Sequence, residues 1–206
     1  MGRPRAIALW ASLLICLLAT SSAQASRIRS LNLEQMAQRA DRILSGRCVG
    51  VRVTRDDEIG QTVTYVTLAV QRSVKGDAHG TVTIKLLGDQ DADIEPGRST
   101  EGIPRFSRGE DVVLFLYGDS RRGLTSPVGF GQGKFSVRKD KNGREFAING
   151  FANDGLFRGL TPQGEGRLAR PVAELKRRAT IPTEDLLDIA QRLAAPPESP
   201  PGRGRP

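Results

Sequence analysis

The sequence predicts a mainly β fold: a small closed or partly open barrel of five to six strands, with an N-terminal and a C-terminal helix. β-Branched residues alternate with polar ones over several segments, and turns rich in glycine and aspartate separate these segments. Gly46 and Gly50 lie inside the first segment, which is typical of a strand that bulges or coils. Apolar residues at helical spacing occur at both ends of this region.

The start of the chain predicts a cleaved signal peptide over residues 1–25. Arg3 and Arg5 precede an apolar run over residues 6–19. Small residues follow at the two positions that a signal peptidase recognises, so cleavage is expected between Ala25 and Ser26. We therefore expect an exported protein, periplasmic or extracellular.

Two alternatives for this segment fit less well. A retained membrane anchor needs about 20 apolar residues, and polar residues begin here at Thr20. A lipoprotein needs a small residue before its lipidated cysteine, and Ile15 precedes Cys16. The mature chain is thus expected to have no membrane span.

The composition of the mature chain excludes several classes of protein. Cys48 is the one cysteine left after cleavage, so no internal disulfide is possible. The net charge of +8 falls to +6 once Arg3 and Arg5 are removed, and the remaining basic residues are scattered. Trp10, the single tryptophan, leaves with the leader. Without a basic patch interleaved with aromatic residues we expect no nucleic-acid partner, and the expected state is a monomer.

The mature chain is predicted to open with a helix. Asn32 can cap it, and Gln35, three residues later, completes a capping box. The helix is expected to end near Asp41. Its narrow apolar face consists of Leu33, Met36, Ala37 and Ala40.

Three strands are predicted next, over residues 43–54, over residues 62–74, and around Ile84 with Val82 and Leu86 inward. The first strand is expected to separate its β-branched residues from its small ones. One face would carry Ile43, Val49, Val51 and Val53, and the other Gly46, Cys48 and Gly50.

The second half of the predicted barrel follows a long irregular loop, residues 88–109, of a length typical of functional loops. Residues 112–117 are almost wholly apolar, which predicts a buried central strand. Residues 130–137 and 144–148 flank Asp140-Lys141-Asn142-Gly143, which predicts a hairpin with Asn-Gly at its tip.

The C-terminal part is predicted to contain one helix and a disordered tail. Residues 26–150 form the expected barrel domain with its N-terminal helix, and residues 151–194 an irregular segment followed by an amphipathic helix that begins near Thr183. Residues 195–206, rich in proline, glycine and arginine, are expected to be disordered. The apolar side of the helix consists of Leu186, Leu187, Ile189, Ala190 and Leu193.

Strands of this number and length favour a barrel of the oligonucleotide/oligosaccharide-binding (OB) type, with a flat sandwich as the alternative. Residues 40–49 resemble the first barrel strand of netrin-type modules, the family that includes the tissue inhibitors of metalloproteinases. The end of the second strand at Val74-Lys75-Gly76 is similar to theirs, as are residues 106–110 leading into the apolar strand. The resemblance covers roughly residues 33–137 and implies an OB-like fold.

The chain departs from these inhibitors where their function is concerned. They grip the protease zinc with a mature N-terminal cysteine, whereas this chain is expected to begin at Ser26 and carries Cys48 inside a strand. Their disulfides are also absent. The resemblance therefore implies a fold and leaves protease inhibition as an alternative function.

Residues able to carry out catalysis are sparse. His79, the single histidine, lies in a polar turn. Cys48 lies between two glycines in the first predicted strand, and it is expected to be a small core residue. Nothing in the pattern places the two together as a nucleophile and its base. The same shortage of ligands disfavours zinc.

Four alternating carboxylates in the long loop are weak candidates for calcium ligands, because calcium takes hard oxygen ligands in flexible loops. An EF-hand loop would need glycine and glutamate where Ile94 and Thr100 stand. The alternative is a solvated acidic loop, and no cofactor is expected. The four residues are Asp89, Asp91, Asp93 and Glu95.

The segment Gly129-Phe130-Gly131-Gln132-Gly133-Lys134 permits two interpretations. It could cradle a phosphate, but it lacks the spacing of a P-loop and a strand is expected to follow. We favour glycines that let the chain bend and another segment pack closely.

The preferred hypothesis for function is a secreted or periplasmic non-catalytic binding module. It would recognise a protein or an envelope polymer through the loop at residues 88–109 and an adjoining barrel edge. The alternatives are an inhibitor of an extracellular protease, and an enzyme that depends on His79, Asp91 or Asp93.

Overall fold

A computed structural model describes residues 30–89, 104–176 and 180–195. The predicted signal peptide, its cleavage site at Ala25 and Ser26, most of the predicted tail and the centre of the long loop lie outside these residues. Those assignments remain predictions.

One antiparallel sheet of seven strands forms the centre of the fold, which confirms the prediction of a mainly β protein. The sheet is not closed into a barrel, and its spatial order is β3-β2-β1-β4-β5-β6-β7. The seventh strand, absent from the prediction, is two residues long and pairs with β6. The strands are β1 (Arg42–Asp56), β2 (Gln61–Lys75), β3 (Thr81–Leu87), β4 (Asp111–Leu116), β5 (Lys134–Lys139), β6 (Glu145–Asn149) and β7 (Ile181–Pro182).

The first strand has the irregular register that its glycines predict. Its ladder with β2 shifts three times, between Ile43 and Leu44, between Ser45 and Gly46, and between Cys48 and Gly50. A Cβ on Gly46 would lie 2.6 Å from the carbonyl oxygen of Ala69, so the neighbouring backbone leaves room for glycine alone.

This shift of register overturns the prediction that Ile43, Val49 and Val51 share a face. Ile43 is buried in one hydrophobic cluster and Val51 packs against the other, while Val49 is exposed. One extra residue in a strand moves every later side chain to the opposite face, because the side-chain period is two.

The two clusters lie on opposite faces of the sheet. The larger one joins the sheet to the helices and includes Phe115 and Phe135, whose ring centroids are 5.7 Å apart. The smaller one fills the other face between β1, β2, β3 and β4, where Cys48 is fully buried as expected.

Among the described residues four helices accompany the sheet: α1 (Leu33–Arg39), α2 (Pro162–Gly166), α3 (Val172–Lys176) and α4 (Thr183–Ala194). The predicted capping box is confirmed. The backbone N–H of Gln35 donates to Asn32 Oδ1 at 2.8 Å, and the backbone N–H of Asn32 donates to Gln35 Oε1 at 3.2 Å. The predicted apolar face of α4 is buried. Within the described ranges, no helix combines the length and apolarity needed to cross a membrane.

The region after β6 belongs to the same core as the sheet, because Leu156, Phe157 and Leu160 join the larger cluster. Glu34 in α1 anchors it: its carboxylate accepts hydrogen bonds from the amide of Thr161 at 2.7 Å and from the hydroxyl of Thr161 at 2.5 Å. The first helix and the last third of the chain are thereby held together.

Two single-residue bridges lie outside the seven strands. Leu124 pairs in parallel with Lys85 of β3, and Pro127 pairs antiparallel with Leu116 at the end of β4. The amide of Thr125 also donates to the carbonyl of Lys85 at 2.9 Å. Residues 124–127 therefore connect β3 with β4.

Candidate functional site

The two residues considered for nucleophilic catalysis have separate environments. Cys48 is buried and its thiol lies 3.7 Å from the carbonyl oxygen of Gly50. Burial raises the pKa of this thiol, which disfavours the reactive thiolate. His79 lies in the turn after β2 with its side chain 82% exposed, and Nε2 is 2.9 Å from Asp77. The structure thus does not pair them.

Of the four calcium candidates, Asp89 is exposed just after β3. Asp91, Asp93 and Glu95 lie outside the described residues, so the hypothesis of a calcium site remains a prediction. In the part of the chain that the structure describes, no three His, Cys, Asp or Glu side chains cluster as metal ligands would.

A buried charged cluster, absent from the prediction, lies between β4 and β5. Lys134 Nζ is 2.6 Å from Glu110 Oε1, and the Ser136 hydroxyl donates to the same oxygen at 2.6 Å. The ammonium group also lies 5.0 Å from the ring centroid of Phe106, and the Ser107 amide donates to Glu110 Oε2 at 3.2 Å. Each charged group already has a partner inside the cluster. A lysine that is paired with a carboxylate is a poor general base, so this cluster fits a structural role better than a catalytic one.

The strongest candidate for a functional surface is a pair of loops that we call the glycine corner, residues 129–133 and 149–155. The first loop turns through a 3₁₀ helix, Phe130–Gln132, and β5 follows at Lys134. The predicted strand over residues 130–137 was therefore wrong at its start. The 3₁₀ helix is a single turn and a strand follows it, so the segment does not lead into the α-helix N-terminus that a phosphate cradle uses.

Close packing at the corner confirms the preferred interpretation of its glycines. A Cβ on Gly133 would lie 2.5 Å from the carbonyl oxygen of Val128, and one on Gly150 would lie 3.2 Å from that of Gly131. The Gly150 amide donates to the Gly131 carbonyl at 3.0 Å, which joins the two loops directly.

A buried polar network makes the corner rigid. Gln132 Oε1 accepts a hydrogen bond from the Leu31 amide at 2.7 Å, and Asn149 Nδ2 donates to the Gln132 carbonyl at 3.1 Å. Asn149 and Asn153 exchange hydrogen bonds of 2.9 Å between side chain and backbone in both directions. Gln132 and Asn149 are almost fully buried. Satisfied buried networks of this kind fix one conformation.

The backbone of the corner is strained. Phe130, Ala152 and Asn153 have φ angles of 56°, 51° and 62°, and they are the residues other than glycine with positive φ in the described ranges. For Phe130 and Ala152 such a conformation costs about 1–2 kcal/mol, whereas asparagine adopts it more readily, and outliers of this kind cluster at functional sites. All three lie at this one corner.

The corner also exposes two aromatic rings. Phe130 is 48% and Phe151 42% exposed, and each lies next to one of the two hydrogen-bonded glycines, Gly131 and Gly150. Two exposed phenylalanines on hydrogen-bonded loops make this corner a candidate for a binding surface.

A cavity of about 430 Å³ adjoins the second loop. Its apolar lining includes Leu156, Phe157, Leu175 and Ile181, and its polar lining includes Asp154, Arg158 and Asp185. A cleft of this size and mixed lining is large enough for a bulky side chain.

Comparison with known proteins adds no family to this picture. No protein-family model matches the chain, and no curated protein matches it. The geometry of the corner therefore carries the argument about function.

The sequence carried a signal for this site that the prediction did not use. The dipeptide Gly-Phe occurs at Gly129-Phe130 and again at Gly150-Phe151, in both cases within irregular segments. Glycine is typical of turns and loops, which run over the surface, so a phenylalanine beside it can be left exposed. That pattern indicates an exposed ring.

Proposed function

We propose that this protein is a non-catalytic binding module of the periplasm or extracellular space, and that it holds a protein partner at the glycine corner. The observation that carries the proposal is the pair of half-exposed rings, Phe130 and Phe151, on a strained and rigid backbone. Aromatic residues are enriched at the centres of protein interfaces, where they supply most of the binding energy.

The chemistry of the described residues supports a binding role over a catalytic one. The buried lysine, Lys134, is engaged by Glu110, the cysteine is buried, and His79 is solvated in a turn. General acid–base or nucleophilic catalysis needs such groups to converge on a cleft. The cavity beside the corner is lined by aspartate and arginine side chains and by none of these three residues.

The proposal includes an OB-like relationship for the fold, as the resemblance to netrin-type modules implies. Support comes from residues 124–127, which lie parallel to β3 and antiparallel to the end of β4. In a five-stranded Greek-key barrel of the OB type, the barrel closes where a later strand pairs in parallel with the third strand. The smaller cluster, between β1, β2, β3 and β4, would form the interior of such a barrel.

The test compares the mature chain with a variant that lacks both rings, Phe130→Ser with Phe151→Ser. Each protein is immobilised and exposed to the periplasmic and secreted fractions of the source cells, and the affinity for any captured protein is then measured by calorimetry. Loss of one interfacial aromatic anchor costs about 2 kcal/mol, or about 30-fold in Kd. The double variant should therefore bind at least that much more weakly.

A matched control is Leu87→Ser, which removes an apolar side chain of the same exposure, 47%, from the end of β3. It should bind as the unmodified chain does. Equal affinity of the double variant and the control would refute the proposal. Binding to purified envelope polymer alone, with no captured protein, would replace the protein partner with a polymer.

A further inference from the structure

The chain contains two Asn-Gly dipeptides, and the structure places them in different environments. Asn142-Gly143 lies at the exposed tip of the hairpin between β5 and β6. Asn149-Gly150 begins the second loop of the glycine corner, and Asn149 is 7% exposed. Asparagine is a chemically labile residue, and it deamidates most readily before glycine, which has no side chain to shield its own backbone nitrogen.

Deamidation joins the side chain of asparagine to the backbone of the next residue. The backbone nitrogen of glycine attacks Cγ of asparagine, and the bond between Cγ and Nδ2 breaks. Ammonia leaves with the proton that the attacking nitrogen loses, and a succinimide ring remains. Water then opens the ring at either carbonyl carbon, which yields aspartate or isoaspartate. Because water is consumed and ammonia is released, the reaction needs no oxidant and no other reagent.

The attacking nitrogen is restrained to the same degree at the two sites. The backbone N–H of Gly143 donates to the carbonyl of Asp140 at 3.0 Å, and that of Gly150 donates to the carbonyl of Gly131 at 3.0 Å. Each nitrogen therefore has to break a hydrogen bond of the same length before it attacks. A difference in reactivity between the two dipeptides must come from the asparagine side chains and from how readily each loop opens.

The two asparagine side chains are held very differently. Nδ2 of Asn149 donates to the carbonyl of Gln132 at 3.1 Å. Its Oδ1 accepts from the backbone N–H groups of Phe151 at 3.0 Å and of Asn153 at 2.9 Å. Rotation of Cγ onto the next nitrogen would break these bonds at a buried site, which is costly. Asn142 is exposed, and within the described residues its hydrogen bond comes from its backbone N–H, so its side chain can rotate.

We propose that Asn142 is a modification site, where the folded protein converts asparagine spontaneously to aspartate and isoaspartate, and that the buried network at the glycine corner keeps Asn149 unmodified. This inference does not depend on the function proposed at the corner. It gives the network a protective role, because isoaspartate at position 149 would add one backbone atom beside Gly150. A Cβ on Gly150 would already lie 3.2 Å from the carbonyl oxygen of Gly131.

Modification at position 142 alters the turn of the hairpin. Asp140 Oδ1 accepts from the backbone N–H of Asn142 at 2.8 Å and from that of Arg144 at 2.9 Å. Isoaspartate at position 142 adds one backbone atom between these two donors, so the same oxygen cannot accept from both with unchanged geometry. The new carboxylate also repels that of Asp140. The modified turn is therefore more loosely held and more negatively charged.

The experiment incubates the mature chain at mildly alkaline pH and follows both dipeptides by peptide mapping with mass spectrometry. A protease that cleaves at aspartate and not at isoaspartate separates the two products. In the folded protein, Asn142 should convert at least about tenfold faster than Asn149. In concentrated urea the two rates should differ by less than about threefold, because the unfolded chain holds neither side chain.

Two variants complete the test, and circular dichroism checks that each is folded. Asn142→Gln should remove the modification at position 142 and leave Asn149 unmodified. Asn153→Gly suits the positive φ at that position and removes the side chain that accepts from the backbone N–H of Asn149, so it should speed conversion of Asn149 alone. Equal rates at the two sites in the folded protein would overturn the proposal. Absence of conversion at Asn142, or a tenfold difference that persists in urea, would also overturn it.

Discussion

Replacement of Lys134 by methionine tests whether the cluster with Glu110 and Ser136 stabilises the fold. Methionine keeps most of the length of the side chain and removes its charge. Lys134 and Glu110 are 9% and 20% exposed at the side chain, so the change leaves a mostly buried carboxylate without its cation. The carboxylate retains the Ser136 hydroxyl at 2.6 Å and the Ser107 amide at 3.2 Å.

The size of the effect follows from this partial burial. Breaking a fully buried pair costs about 3–5 kcal/mol, and breaking an exposed pair costs about 0–1 kcal/mol. With a fifth of Glu110 still in contact with solvent and two hydrogen bonds retained, we expect a loss of about 2 kcal/mol. Adding Glu110→Gln removes the unpaired charge, so the double variant should recover about half of that loss.

The assay is urea unfolding followed by far-ultraviolet circular dichroism, because the mature chain is expected to lack tryptophan. At a slope of about 2 kcal/mol per molar urea, the single variant should shift the midpoint by about 1 M. The control is Lys139→Met, whose partner Glu145 lies at 3.4 Å and whose side chain is 65% exposed. A midpoint for Lys134→Met as close to wild type as that of the control would refute the reasoning, and so would strictly additive effects of the two substitutions.

Two further substitutions test the packing of the corner and the electrostatics of the sheet. Gly133→Ala should lower the unfolding free energy by about 3 kcal/mol, because its Cβ would lie 2.5 Å from the backbone oxygen of Val128; a change below 1 kcal/mol in urea unfolding would contradict that geometry. Asp111 accepts hydrogen bonds from Arg47, which lower the pKa of its carboxyl. A carboxyl with a lowered pKa in the folded state stabilises the protein above its unfolded pKa, near 4, and that stabilisation is lost as the pH falls through the folded value. Thermal unfolding of Asp111→Asn should therefore change less between pH 6 and pH 2 than that of the unmodified chain, and identical slopes would contradict the assignment.

The strands with regular alternation could be predicted from the sequence alone. β3 keeps a period of two, with Ile84 and Leu86 inward as expected, and so does β2 from Val66 to Val70, before its ladder with β1 shifts. The side chains of β1 could not be assigned to faces, because its register shifts at Cys48 and Gly50 through pairing with β2. The position of a bulge depends on how the strand pairs with its neighbour, and the sequence of one strand alone does not determine that pairing.

The candidate site was predicted in part. The close approach at Gly133 followed from the residue type, since glycine alone permits it. The left-handed backbone of Phe130 did not follow, because a bulky residue avoids that conformation unless its surroundings impose it. Glu110 and Lys134 are 24 residues apart in the chain, and their contact depends on the β4–β5 register, which places Leu114 opposite Lys134.

Two features of Phe130, its backbone conformation and its exposed ring, raise the free energy of the isolated chain. They are the strongest argument for a partner at the corner. Its backbone conformation costs about 1–2 kcal/mol that glycine would avoid, and half of its ring remains in water, where its burial would return about 1 kcal/mol. The hydrogen bonds that hold the loop come from its backbone and from Gln132, so the exposed half of the ring is not needed to form them. A second surface that covers the exposed half of the ring would return this part of the cost. Phe151, exposed beside the glycine that bonds to Gly131, extends the same surface.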